Sequence, residues 1–108
     1  MNLSNKKCQP CEGGIPKLKE EEIKELMMSI GPAWKLIDNS KIIKEYSFVN
    51  FIHTMKFVNR VAELAEQEGH HPNLFVSYGK CSIELWTHAI NGLSDNDFIL
   101  AAKIDDLI

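Results

Sequence analysis

No stretch of this 108-residue chain is apolar for anything near the roughly 18 residues that a membrane-crossing helix needs, so no span is expected. Residues 1–7 lack an apolar core of the kind a secretory leader carries. There is no excess of basic residues. The net charge of −3 gives no electrostatic reason to expect nucleic acid or an anionic membrane as a direct ligand. Cysteine is scarce: three residues, an odd number, spaced unlike a disulfide framework, which points to a reduced, cytoplasmic protein. What is present is ordinary for a soluble globular domain, with 44% apolar and 25% charged residues. The length suits one domain with a modest core and is too short for two.

Residues 1–18 hold Cys8, Pro10, Cys11, Gly13, Gly14 and Pro16, a composition that forbids regular structure and predicts an extended arm. The domain proper is expected over 19–108. The Cys8-x-x-Cys11 pair lacks the two further ligands at matched spacing that a zinc site needs, and no strand precedes it as in a redox motif. Residues 20–30 predict a helix: Ile23, Leu26, Met27 and Ile30 form one stripe, and Glu20, Glu21 and Glu22 suit the positive end of its dipole. Residues 34–37 and 42–48 read as two strands of a hairpin. In the second, Ile42, Lys44, Tyr46 and Phe48 share a face, which leaves Lys44 out of place unless the strand lies at an edge. Asn50 is a good cap for a helix over 51–68, with a seam of Phe51, Met55, Val58, Ala62 and Ala65 widened by Ile52, Val61 and Leu64. Gly69 suits its left-handed end. His53 in this helix reads as an ordinary surface histidine.

Residues 74–78 and 81–88 predict a second hairpin turning on Gly79-Lys80. Cys81, Ile83, Leu85 and Thr87 look core-facing, and Trp86 and His88 share the opposite side. Ser94 to Asp97 form a capping box that opens a last helix. The order α-β-β-α-β-β-α predicts an α+β fold: two layers, a four-stranded antiparallel sheet with helices packed on one face. Short strands at open sheet edges often pair across a symmetric dimer.

Three of the four histidines, His70, His71 and His88, lie near where the long helix ends and the second hairpin runs. Imidazole titrates near neutral pH and serves as acid or base there. If His88 returns toward His70 and His71, three imidazoles line one cleft. Adjacent residues in extended chain point to opposite faces, so His70 and His71 are poorly placed to share one ion, and no metal is expected. Glu66, four residues before His70, is expected to reach it over the last helical turn. Trp86 is placed to stack on a flat ligand or to pack at a subunit interface. Pro72 prevents the helix from continuing, and Asp97 is first of all the N3 residue of its cap.

The pattern Glu66-x-x-x-His70-His71-Pro72, five residues, Tyr78, nine residues, His88, eight residues, Asp97 resembles the signature of the pterin-4a-carbinolamine dehydratases. Cys11-Glu12-Gly13-Gly14 resembles the arm of bacterial members. Gly31-Pro32-Ala33-Trp34 resembles the entry to the first strand, and Gly92-Leu93-Ser94 the last cap. The departures are Leu74 where some members have an aromatic, Lys19 where a hydroxyl cap is usual, and Gly79 and Cys81 in the hairpin. The resemblance implies a hydro-lyase that dehydrates 4a-hydroxytetrahydropterin, the product left by aromatic amino acid hydroxylases, to quinonoid dihydropterin in tetrahydrobiopterin regeneration. It implies no metal or organic cofactor, a homodimer or homotetramer, and a functional link to such a hydroxylase. His70, His71 and His88 map to the catalytic histidines, with Glu66, Trp86, Asp97 and Pro72 binding or supporting. The alternatives it carries are a protein-interaction role as dimerisation cofactor of a transcription factor, and a molybdopterin-linked role.

Overall fold

Alternation along two central strands sets the architecture. The structure is a computed structural model and describes residues 3–9 and 16–108. Its elements are α1 (Glu20–Met27), β1 (Lys35–Ile37), β2 (Lys41–Ser47), α2 (Phe51–Glu68), β3 (Asn73–Ser77), β4 (Lys80–Leu85) and α3 (Asp95–Asp105). Short 3-10 turns occur at Leu3–Asn5 and His88–Ile90. The four strands form one antiparallel sheet in the order β1-β2-β4-β3. The α+β class and the element order therefore stand as expected. Ile42 and Tyr46 of β2 lie opposite Leu85 and Cys81 of β4. With Ile83 these residues are 0–5% exposed and face Phe57 and Val61 of α2 and Phe98, Leu100 and Ile104 of α3. Burial among these side chains pushes the Cys81 thiol pKa up. Ile23 of α1 joins the same core.

The first helix stops at Met27, short of the expected residue 30. Met28 N–H bonds to Glu25 C=O at 3.1 Å and Ser29 N–H to Leu26 C=O at 2.9 Å, so the last turn tightens to a 3-10 pattern. Lys19 supplies no side-chain cap; instead Glu22 Oε1 accepts from the Lys19 N–H at 2.9 Å. The β1–β2 turn is made by Asp38 and Asn39, both with left-handed φ (50° and 54°), and Ser40 N–H closes it on Ile37 C=O at 2.9 Å. The second hairpin turns on Tyr78-Gly79, one residue earlier than expected, because Ser77 pairs with Lys80. Glycine is needed there by proximity, since a Cβ would sit 2.9 Å from Phe48 O.

Lys44 does not lie at an edge. Its strand has neighbours on both sides, and the misfit is resolved by a counter-charge. Asp105 Oδ1 accepts from Lys44 Nζ at 2.7 Å and from Tyr46 OH at 2.5 Å, and its Oδ2 accepts from Trp34 Nε1 at 3.0 Å. Burial pushes the Tyr46 hydroxyl pKa up, and its bond to Asp105 adds to this. Burial alone would raise the Asp105 carboxyl too. The hydrogen bonds from Lys44, Tyr46 and Trp34 and the Lys44 charge outweigh it and hold the carboxyl below its ordinary value. A depressed folded pKa contributes stability that is present above the unfolded value of about 3.9 and is lost as pH falls through the folded one. The native chain should therefore exceed Asp105→Asn in unfolding free energy at pH 7. Chemical denaturation at stepped pH should show that gap closing as the solution is acidified below about pH 4.

Asn50 caps α2, its Oδ1 accepting from His53 N–H at 2.9 Å, and Gly69 ends it at φ 67°. Asn50→Ala should cost about 1 kcal/mol in urea unfolding and leave the site intact. The buried stripe is Thr54, Phe57, Val61 and Ala65, rotated from the expected seam, and Phe51 and Ile52 are exposed. The cause is Thr54, a polar residue that passes as core because Asn50 C=O and Tyr78 C=O, each at 2.9 Å, satisfy its hydroxyl. Phe57 then packs on Tyr46 and Phe48. The described part of the arm begins with a 3-10 turn, so it is not simply extended. Leu3 is buried, Lys103 Nζ donates to Ser4 C=O at 2.9 Å, and Cys8 N–H donates to Glu68 Oε1 at 2.9 Å. Cys11 and the Glu12-Gly13-Gly14 motif lie outside the described residues.

Candidate active site

The end of α2 separates the paired histidines. Gly69 N–H and His70 N–H both reach back to Ala65 C=O, at 2.9 and 3.3 Å. The chain leaves the helix there with His70 turned inward and His71 outward. His70 is 5% exposed, and its Nε2 lies 2.6 Å from Asp97 Oδ1. His71 is exposed, and its Nε2 lies 2.5 Å from Glu66 Oε2. The expected Glu66–His70 contact is thus replaced by two pairs. Glu66 holds His71, and Asp97 from the opening turn of α3 holds His70. The left-handed bend at Gly69 is the reason, since it carries His70 off the helix face before Glu66 can reach it.

Asp97 both caps and supports. It is fully buried, and its Oδ2 accepts from Ser94 N–H at 3.0 Å and from Thr87 Oγ1 at 2.8 Å. Thr87 Oγ1 also lies 2.8 Å from Ser94 Oγ. One carboxylate therefore ties α3, the segment after β4 and His70 together. Thr87 and Ser94 were not singled out as site residues. The available signal was a hydroxyl in the core-facing register of a strand, between Trp86 and His88, where an apolar residue belongs.

The expected strand over 81–88 ends at Leu85. Thr87 forms an isolated bridge to Gly92, and His88 opens a 3-10 turn. The shared side of Trp86 and His88 survives this break. Their rings stack with centroids 3.9 Å apart and planes 27° from parallel. Trp86 Nε1 is buried without a hydrogen-bond partner among the described residues. A cleft of about 320 Å³ lies between these elements, lined by His70, His71, Pro72, Trp86 and His88 with Gly69, Asn73 and Ala89. Asn73, which no motif in the sequence marks out, also lines the cleft, and Glu84 lies beside it. Asn73 Nδ2 donates to Glu84 Oε1 at 3.0 Å.

The cleft brings together three imidazoles, two of them backed by carboxylates, and a stacked aromatic wall. Such a set can deliver one proton to a bound ligand and take up another from it. Among the described residues no three His, Cys, Asp or Glu side chains converge where an ion could sit. No helix among them is long and apolar enough to cross a membrane.

Residues 16–107 match the family described as pterin 4 alpha carbinolamine dehydratase. A protein of Rickettsia canadensis, provisionally named pterin-4-alpha-carbinolamine dehydratase, is 51% identical over 98% of this chain and 97% of its own length. A Nitrosomonas eutropha protein with the same provisional name is 50% identical over 99% of this chain and 94% of its own. The crystal structure of a transcriptional coactivator/pterin dehydratase from Brucella melitensis superposes with a TM-score of 0.79 at 28% identity, over 85% of this chain and 98% of that one. A pterin dehydratase-like protein described as a RuBisCO assembly factor in the alpha-carboxysome superposes with a TM-score of 0.60 at 25% identity, over 69% and 88% of the two chains.

Proposed function

The chain belongs to the pterin-4a-carbinolamine dehydratase family, and from that premise we propose that it dehydrates 4a-hydroxytetrahydropterin to quinonoid dihydropterin by histidine acid–base catalysis. The observation that carries the reading is the convergence of His70, His71 and His88 on one cleft walled by Trp86. In the reaction the C4a–O bond breaks, the hydroxyl leaves as water with a proton supplied to it, and N5 gives up its proton as the C4a–N5 double bond forms. His70 and His88 are the acid–base pair on this reading. Asp97 fixes which nitrogen of His70 carries the proton. His71, held by Glu66, positions the pterin, and Pro72 sets the backbone between the pair and β3. The chemistry needs no metal and no organic cofactor.

In the cell this activity belongs in the cytoplasm, beside an aromatic amino acid hydroxylase whose product it would return to the tetrahydrobiopterin cycle. The exposed Phe75 and Val76 of β3, the last strand of the sheet, with Tyr78 in the turn that follows, support a homo-oligomer built on that edge. The same apolar edge, with the coactivator description of the Brucella protein, favours a second reading as a protein-binding module.

The test is the rate at which 4a-hydroxytetrahydropterin, generated by a hydroxylase, is lost as followed by ultraviolet absorbance. Acceleration by the native chain supports the reading; none from a folded protein refutes it. His71→Ala should raise KM about tenfold with kcat little changed, which corresponds to about 1.4 kcal/mol of uniform binding. Loss of turnover in that variant with substrate binding intact would reverse the division of roles.

A further inference from the structure

Resting on the pterin reading, we propose that Asn73 is a substrate-orienting residue: its amide, clamped by Glu84, presents Oδ1 as acceptor to the N3–H and 2-amino edge of the pterin ring. Asn73 opens β3 and lies directly opposite Glu84 of β4. Its Nδ2 lies 3.0 Å from Glu84 Oε1. An ionised carboxylate only accepts, so the amide must turn its NH₂ toward Glu84 and leave its carbonyl as the open group. The clamp is itself held, because Lys41 Nζ lies 3.2 Å from Glu84 Oε2 and the Glu84 side chain is only 15% exposed. Burial alone would raise the Glu84 carboxyl. Hydrogen bonds from Asn73 and Lys41 and the charges of Lys41 and His88 outweigh it, and the group stays below its ordinary value.

The chemistry of the cleft wall makes the assignment specific. Of the side chains that line it, three are imidazoles engaged in proton transfer or positioning, and the indole offers a stacking face. Gly69, Pro72 and Ala89 offer no polar side-chain atom. Asn73 is the lining side chain with a neutral carbonyl acceptor. The pyrimidine edge of a pterin carries adjacent donors and requires one. Glu84 is then a positioning residue that acts through Asn73.

The measurement is the dissociation constant of 7,8-dihydropterin, read by fluorescence on protein whose fold is checked by circular dichroism. Alongside it run kcat and KM for 4a-hydroxytetrahydropterin. Asn73→Ala should weaken binding about tenfold, with kcat nearly unchanged. Glu84→Met, which removes the acceptor, should weaken it similarly. Glu84→Gln, whose amide oxygen still accepts from Asn73 Nδ2, should bind nearly as the native chain does. The double variant Asn73→Ala/Glu84→Met should bind no more weakly than Asn73→Ala alone, as expected for two residues acting as one unit. Native-like binding by Asn73→Ala, or equal losses in Glu84→Gln and Glu84→Met, would overturn the proposal and leave the dehydratase reading standing. A native chain that does not bind 7,8-dihydropterin would overturn both.

Discussion

His70→Ala is expected to lower kcat/KM for 4a-hydroxytetrahydropterin loss by about 10²–10⁴-fold, the usual contribution of one positioned proton-transfer group. The loss should fall on kcat, because His70 is 5% exposed and offers the substrate little contact area. The variant should fold. Asp97 loses one donor but keeps Thr87 Oγ1 and Ser94 N–H at 2.8 and 3.0 Å, so the buried carboxylate is not stranded. A stability cost of about 1–3 kcal/mol follows from the loss of the His70–Asp97 bond. His88→Ala should show a rate loss of the same order with a smaller stability cost, because His88 is exposed and stacks on Trp86, whereas His70 is buried against Asp97. Stopped-flow absorbance for the rates and urea unfolding for the stabilities separate the two effects. If either variant keeps a rate close to native, the acid–base pair is wrongly assigned.

The difference between these two histidines could not be read from the sequence, although both were visible as candidates. Local rules held where local forces decide. Asn50 and Ser94 cap their helices, Gly69 ends α2 in the left-handed region, and the alternation along β4 buries Cys81, Ile83 and Leu85 and carries past its end to bury Thr87. Local rules failed where partners distant in the chain decide. Lys44 looked misplaced because its counter-charge, Asp105, lies on a helix at the other end of the sequence. The buried stripe of α2 was misread because Thr54 is polar by type and becomes core only when Tyr78 C=O accepts its hydroxyl. Glu66 sits at the helical spacing for His70, yet one left-handed glycine redirects it to His71. The residues that meet at the cleft, His70, His71, Pro72, Trp86 and His88, were therefore legible as a motif, whereas the pairing of imidazoles with carboxylates required the fold.

On the proposed mechanism that pairing gives Asp97 the largest expected effect outside the imidazoles, and its replacements by Ala and by Asn should fail differently. Asp97→Ala removes the acceptor of three buried donors at once: His70 Nε2, Ser94 N–H and Thr87 Oγ1. Stranding buried partners of this kind costs about 3–5 kcal/mol. A domain of this size is stable by only about 5–15 kcal/mol in all. The alanine variant should show a large drop in urea midpoint and a shortfall in soluble protein. Asp97→Asn keeps the volume but not the symmetry of the carboxylate. Its carbonyl can serve Ser94 N–H and Thr87 Oγ1, and its NH₂ then faces His70 Nε2 and can only donate to it. The His70 proton must move to the other ring nitrogen. The asparagine variant should therefore fold while losing about 10² or more in kcat, since the imidazole is held in the wrong tautomer. Nitrogen-15 chemical shifts of the His70 ring report that tautomer directly. A folded Asp97→Asn protein with the native tautomer and native kcat would reduce Asp97 to a helix cap. A changed tautomer with a collapsed rate, in a protein whose urea midpoint has moved little, would establish that the residue acts through His70.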